Sequence, residues 1–249
     1  MERVDRPTVA TFLAPAPLAA GAGVTLGEDA AHHMRVRRIE PGERVALVDG
    51  EGARATGKVV RIAKQHAVVD VDLVEQFEPL PAVHMAVPVG DRDRMLWLAE
   101  KCVELGATSW RPVLWRRSRS VSPRGEGVTF MAKLRARMGA ALAQSEGAWL
   151  PAVYPDATPE RAAASAPPGT RLLLDPDGPP LLSVSLTTPV TIAVGPEGGV
   201  ERDERDLLVA AGFAPVSLGG HILRFETAGV SALAVARAAL AATSPYAEP

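Results

Sequence analysis

Residues 191–199 read Thr-Ile-Ala-Val-Gly-Pro-Glu-Gly-Gly: an apolar run stops at Gly195, and a charged segment of helical period follows from about residue 202 to 211. Strand, glycine-rich turn and helix in succession are the punctuation of an α/β sheet. Glycines at a strand end let the backbone come close to a ligand. Ligands of open parallel sheets lie beyond the carboxyl ends of the strands. The spacing is not Gly-x-Gly-x-x-Gly, and no Gly-Lys-Ser/Thr follows, so neither a dinucleotide fingerprint nor a phosphate-cradling P-loop is written here. Taken alone, the five residues Gly195, Pro196, Glu197, Gly198 and Gly199 serve equally as a ligand loop or as a tight turn between strand and helix.

Residues 216–228, Val-Ser-Leu-Gly-Gly-His-Ile-Leu-Arg-Phe-Glu-Thr-Ala, have the same grammar. A strand over 214–218 ends at Gly219-Gly220. A short apolar turn carries Ile222 and Leu223, and a closing helix is predicted over about 227–242, capped by Thr227 or a neighbour. Arg224 stands between apolar residues, where an unpaired charge is costly to bury. Its expected partner is Glu226, Glu197 or an anionic ligand.

Working back from these segments, strands are predicted at 83–89, 110–115, 171–174 and 190–194, and helices at 92–105, 128–142 and 202–211. Met95, Leu98, Cys102 and Leu105 mark the helical period of the first of these helices. Strands alternating with helices imply a parallel sheet. Residues 157–169, rich in alanine and proline, read as a surface loop around a short helix. The polar stretch Glu-Gln-Phe-Glu-Pro-Leu-Pro at 75–81 reads as a linker. Before it, residues 8–74 are β-rich, with valine-bearing strands at 44–49, 53–62 and 66–74, Gly-containing turns between them, and a short helix near 29–37. Two domains follow, at 1–76 and 80–249.

With 47% hydrophobic and 22% charged residues among 249, the chain has a globular composition and length enough to bury a core in each part. The net charge of −2 leaves RNA binding to local basic patches. Two such patches are Arg35, Arg37 and Arg38 in the first domain, and Arg116, Arg117, Arg119 and Arg124 in a loop of the second; arginines on loops suit phosphate contacts. The single cysteine, Cys102, excludes an internal disulfide and falls on the apolar helix face, as a core filler does. The five histidines lack metal-ligand spacing, so no metal is expected. No stretch approaches the roughly 20 apolar residues of a membrane span, so no membrane and a cytoplasmic location are expected.

Together, Gly195-Pro196-Glu197-Gly198-Gly199, Glu204, Leu218-Gly219, and Ile222-Leu223-Arg224 with Glu226-Thr227-Ala228 resemble the signature of the RsmE family, the 16S rRNA uridine-N3 methyltransferases of the SPOUT superfamily. The resemblance extends to Glu100-Lys101, Glu104-Leu105-Gly106, Gln144-Ser145 with Pro151, and His32, Arg35, Val36, Arg38 and Gly42, so it runs through nearly the whole chain in order. The chain departs from the pattern at His221 and Gly147, where the family has arginine, at Phe225, and at Arg37. The resemblance implies an α/β fold: a PUA-like β-barrel domain followed by a SPOUT domain with a trefoil-knotted parallel sheet. General topology rules disfavour knots, so that expectation rests on resemblance. It further implies S-adenosylmethionine as cofactor, a uridine of 16S rRNA in the 30S subunit as substrate, and a homodimer. Carried over by position, Leu174, Gly195, Pro196, Glu197, Gly198, Gly199, Leu218, Gly219, Ile222, Leu223 and Thr227 would bind the cofactor. Arg224 and Glu226 would be catalytic, and Arg35, Arg37, Arg38, Arg116, Arg117 and Arg119 would meet RNA. The alternatives are a SPOUT enzyme acting on another rRNA or tRNA site, and an inactive RNA-binding ribosome-assembly factor.

Overall fold

A computed structural model of the chain describes residues 8–118 and 128–242, with only the backbone of Val128. Two compact units are present: Met1–Pro79 with Met138–Leu150, and Leu80–Arg137 with Pro151–Pro249.

The first unit holds a five-stranded curled sheet of β1 (Thr11–Leu13), β2 (Gly23–Leu26), β3 (Arg44–Val48), β4 (Ala53–Ile62) and β5 (Ala67–Gln76), in the order β1-β3-β4-β5-β2. Alternate residues Val45 and Leu47, Ala53 and Ala55, and Val69 and Val71 enter the core, as the pleat requires. Two register shifts along β4 and β5 bend these ten-residue strands. Gly57 sits at one of them, where a Cβ would stand 2.5 Å from the carbonyl oxygen of Asp70. Helix α1 (Glu28–Val36) lays Ala31 and Met34, three residues apart, against the sheet. The three predicted strands and the helix are all present, joined by the short β1 and β2.

Residues 138–150, placed by the sequence reading with everything after residue 80, group with this first unit. The indole of Trp149 covers Gly52, where a Cβ would lie 2.5 Å from the ring, and its Nε1 donates to the Phe77 carbonyl at 2.9 Å. The backbone N–H of Gly52 donates to Ala148, and that of Leu150 donates to Gly50, both at 2.9 Å.

The second unit is a six-stranded sheet of β6 (Val83–Pro88), β7 (Ser109–Val113), β8 (Ala152–Val153), β9 (Thr170–Leu174), β10 (Val190–Ala193) and β11 (Ala214–Val216). The order is β11-β9-β10-β6-β7-β8 and every pairing is parallel. All four residues of β10 are buried, as expected for a central strand covered on both faces. Helices α4 (Pro159–Ala164) and α5 (Arg202–Ala210) flank one face, where Leu208 and Phe213 pack with Ala86, Leu173 and Ala193. On the other face lie α2 (Arg92–Glu104) and α6 (Phe225–Ala242), which also pack on each other. Helix α3 (Val128–Ser145) begins in the second unit and ends in the first.

Helix α2 starts at Asp91, whose carboxylate accepts the Arg94 N–H at 3.0 Å. It buries Met95, Leu98, Ala99 and Cys102 at helical spacing. Burial pushes the Cys102 thiol well up, which keeps it an inert filler. Helix α6 begins two residues before the predicted start. The Arg224 carbonyl accepts the Ala228 N–H at 2.8 Å, so Thr227 lies inside the first turn and does not cap it. Phe225, 3% exposed, draws the start of the helix into the core. With 18 residues and a mean hydropathy of 1.3, α6 is long and apolar enough for a membrane span, a property that the sequence reading missed. It buries Phe225, Gly229, Ala232, Leu233, Ala236 and Leu240.

Candidate active site

Three neighbouring strands, β9, β10 and β11, end at one cavity of about 430 Å³. The end of β9 contributes Leu173, Leu174 and Asp175. Beyond β10, Val194 leads into Gly195, Pro196, Glu197, Gly198 and Gly199. Beyond β11 come Leu218 and Gly219, then Ile222 and Leu223 ahead of α6. The sequence order of these strands is not their spatial order; β9 lies between β10 and β11 and brings the two motifs to one crevice.

The loop after β10 needs its glycines. Gly199 has φ +79°, a left-handed conformation that strains other residues, and its N–H donates to the Pro196 carbonyl at 2.9 Å. At Gly198 a Cβ would stand 3.1 Å from that of Arg117. Helix α5 follows behind a capping box in which the Glu201 N–H donates to Glu204 Oε2 at 3.1 Å. The other oxygen of Glu204 accepts the Arg116 N–H at 2.8 Å. Trp115, buried, donates its indole N–H to the Val194 carbonyl at 3.1 Å.

The cavity walls are largely apolar, from Leu173, Val194, Val216, Leu218, Leu223 and Phe225, with backbone groups of the two glycine-bearing turns among them. One charged pair stands at the lining: Arg205 Nε donates to Asp175 Oδ2 at 2.6 Å. Burial alone would raise the Asp175 pKa; the Arg205 guanidinium and the Asp177 N–H outweigh it and hold the carboxyl below its ordinary range. The volume lies in the usual small-molecule range of roughly 300–1,000 Å³. Such walls fit an uncharged heterocycle and a compact cation better than a phosphate group.

Of the residues carried over for the cofactor, Leu174, Gly195, Pro196, Glu197, Gly198, Gly199, Leu218, Gly219, Ile222 and Leu223 line this cavity, whereas Thr227 does not. Arg224 and Glu226 do not line it either. Arg224 is exposed and, among the described residues, forms no ion pair, so the expected contact with Glu226 or Glu197 is not made. Arg94 takes both carboxylates instead: Nη1 donates to Glu197 Oε1, and Nε lies 3.7 Å from Glu226 Oε1. Glu226 Oε2 is buried and has no hydrogen-bond partner among the described residues.

The basic clusters are partly engaged. Arg116 Nη1 donates to Asp203 Oδ1 at 3.1 Å, and Arg117 grips both oxygens of Glu201 at 2.6 and 3.1 Å as well as the Gly198 carbonyl at 3.0 Å. The acidic first turn of α5 attracts both arginines, as a helix N-terminus attracts the carboxylates themselves. Arg119 and Arg124 lie outside the described residues. In the first unit, Arg35 Nη1 donates to the carbonyls of Ala63 and Lys64 at 2.5 and 3.1 Å, while Arg37 and Arg38 are exposed. The sequence reading missed Arg94, Asp175, Arg205 and the lining role of Phe225. Asp175 alone had a signal, since it follows a strand end that was itself singled out.

Comparison with known proteins gives this arrangement a class. The RNA methyltransferase domain family matches residues 78–237, and the RNA methyltransferase PUA domain family matches residues 26–72. A Legionella pneumophila methyltransferase solved with bound SAM superposes with a TM-score of 0.86 at 26% identity, over 94% of this chain and 98% of that one. Ribosomal RNA small subunit methyltransferase E from Neisseria gonorrhoeae, bound to S-adenosyl methionine, gives 0.84 at 27% identity, over 92% and 97%. Fold and site thus define a SPOUT-type α/β methyltransferase with an N-terminal PUA-like β unit. The chain belongs to the ribosomal RNA small subunit methyltransferase E family. It is 32% identical to the Synechocystis protein of that name over 231 residues, 88% of this chain and 74% of that relative. It is 30% identical to the Mycobacterium bovis one over 238 residues, 83% and 82%.

Proposed function

We propose that the protein uses S-adenosylmethionine to methylate N3 of a uridine in 16S rRNA within the 30S subunit. The observation that carries this reading is the apolar cavity at the ends of β9, β10 and β11, built from the two glycine-bearing segments that define the family. When bound there, the cofactor supplies an electrophilic methyl group on a sulfonium.

The chain's own residues do the rest. Gly198 and Gly199 let the backbone approach the cofactor, while Leu174, Leu218, Ile222 and Leu223 exclude water from it. Gly195, Pro196, Glu197 and Gly219 complete its contacts, whereas Thr227, in the first turn of α6, stands outside the cavity lining. Arg224, exposed between two cavity-lining residues, is free to meet a phosphate beside the target or negative charge developing on the base. Glu226 acts at one remove, by holding Arg94. Arg35, Arg37 and Arg38, with Arg116, Arg117 and Arg119, serve RNA contacts; for Arg116 and Arg117 this means exchanging carboxylates for phosphates.

We assign residues 1–76 to RNA gripping and 80–249 to methyl transfer, with the last strand and helix threaded as a trefoil knot. The enzyme works in the cytoplasm as a homodimer. The test is to incubate the protein with labelled cofactor and unmethylated 30S subunits and to map the modified nucleosides by mass. Labelled N3-methyluridine in 16S RNA, lost in Arg224→Ala, is the expected result. Label in tRNA alone would point to another target, and no label with no cofactor binding would point to an assembly factor.

A further inference from the structure

The loop carrying Gly195 to Gly199 borders two cavities. Pro196, Glu197 and Phe225 line the 430 Å³ cavity, and the same three residues line a smaller one of about 180 Å³. Pro88, Gly90, Arg94 and Arg117 are among the walls of the smaller cavity. We propose that this second cavity seats the target base, a uracil ring read at its Watson–Crick edge by Arg94 and Glu197. The proposal rests on the functional reading above and names the substrate subsite within it.

Size is the first argument. A cavity of roughly 150 Å³ accepts a benzene-sized ring, so 180 Å³ is room enough for a single six-membered ring. Position is the second. A base seated here shares a wall with the proposed cofactor cavity, and the shared wall contains Glu197.

Chemistry is the third. Arg94 is held from two sides, by Glu197 Oε1 and by Glu226 Oε1, which aims its guanidinium. Glu197 Oε2 has no partner among the described residues. Donor and acceptor therefore stand side by side, with Arg94 and Glu197 each about one-third exposed and open to an incoming group. Uracil presents the complementary pair, a carbonyl acceptor next to the N3–H donor. Cytosine presents the reverse, an amino donor next to an N3 lone pair, and would set like against like at both positions. A site built to hydrogen-bond one edge rejects the other strongly, because its own polar groups are left unpaired. Pro88, Pro196 and Phe225 provide apolar surface for the ring faces.

In the reaction, the N3–H bond breaks and its proton passes to Glu197 Oε2. The electron pair left on N3 forms the N–CH3 bond as the S–CH3 bond breaks, and that pair stays on sulfur. Negative charge that develops on the uracil carbonyl meets Arg94. Glu226, which lines neither cavity, is a positioning residue for Arg94.

The test compares wild type, Arg94→Met and Glu197→Gln in single-turnover transfer to unmethylated 30S subunits at saturating cofactor, from about pH 6 to 9. Cofactor affinity by calorimetry and 30S affinity by filter binding are measured alongside. In Arg94→Met the transfer rate should fall about 100-fold, while cofactor and 30S affinities stay within about threefold. In Glu197→Gln the rate should climb about tenfold per pH unit, because N3 must then ionise into solvent before it reacts; the wild-type profile should be flatter. A damaged fold would lower both affinities and leave the pH slope unchanged. Transfer by Arg94→Met within about threefold of wild type, or parallel pH profiles for wild type and Glu197→Gln, would overturn the proposal while N3-methyluridine made by the wild type upholds the function. A wild type that methylates no uridine would remove both.

Discussion

Glu204 on α5 accepts the backbone N–H of Arg116, at the exit of β7, across 88 residues of sequence at 2.8 Å. The same carboxylate caps its own helix, and the residue is only 6% exposed. One buried side chain therefore fixes both the start of α5 and the segment that carries Arg116 and Arg117. Glu204→Ala leaves two amides without their acceptor, each worth about 1–3 kcal/mol when buried. Denaturant unfolding should show a loss of about 2–4 kcal/mol. A loss under about 0.5 kcal/mol, the usual scale of a surface substitution, would mean that water replaces the carboxylate without cost.

Gly199 occupies a left-handed backbone conformation in the loop between β10 and α5. A β-branched side chain there costs about 1–2 kcal/mol and shifts the backbone of a loop that lines the cavity. Gly199→Val should keep its far-ultraviolet spectrum and bind S-adenosylmethionine about tenfold more weakly. Calorimetry with the variant measures this directly, and unchanged affinity would remove the loop from the cofactor site.

His84, at the start of β6, has Nδ1 2.8 Å from Ser109 Oγ, and burial lowers its pKa below the ordinary 6.5. The unfolded chain takes up a proton near pH 6.5 that the folded chain refuses until lower pH, so the unfolded state binds more protons in that window. Stability from His84 is thus complete above pH 6.5 and is lost as pH falls from there towards the folded pKa. Melting temperature should drop over this range, and His84→Asn should flatten the drop. Parallel curves for the two proteins would show that His84 titrates alike in both states.

Arg35, in the last turn of α1, and Arg37, at its C-cap, have different commitments. Arg35 spends its guanidinium on two carbonyls of the β4–β5 turn, whereas Arg37 is exposed. Arg37→Ala should weaken 30S binding and lower the salt slope of that binding by about one, without affecting the melt. Arg35→Ala should lower the melting temperature. If Arg37→Ala leaves the salt slope intact, this cluster does not touch phosphate.

The sequence was explicit about what is local. Hydrophobic period marked nearly every strand and helix of the second unit, and the glycines of 195–199 and 218–220 marked the ends that meet at the cavity. What it hid is long-range. Arg94 and Glu197 lie 103 residues apart, and nothing near Arg94 distinguishes it from any other arginine in the first turn of a helix. The start of α6 was misplaced because no capping residue marks Phe225. Packing sets it, with Gly90 leaving room for a ring that a Cβ would approach to 3.2 Å. The grouping of residues 138–150 with the first unit was equally silent, since α3 runs on as one helix and the decisive contacts are those of Gly50 and Gly52 with the stretch behind it.

The placement of β9 between β10 and β11 has a consequence for biosynthesis. A ribosome delivers the walls of the cofactor cavity in three instalments, and the last, from Val216 to Ala228, emerges after the other two. Until it arrives β9 has one neighbour and the cavity one open side. A nascent or prematurely terminated chain can assemble the β-rich first unit and most of the second sheet, yet it has no closed receptacle for the methyl donor. Competence to bind the cofactor is therefore a late checkpoint of synthesis, and ligand-induced stabilisation can reach only chains that have passed it.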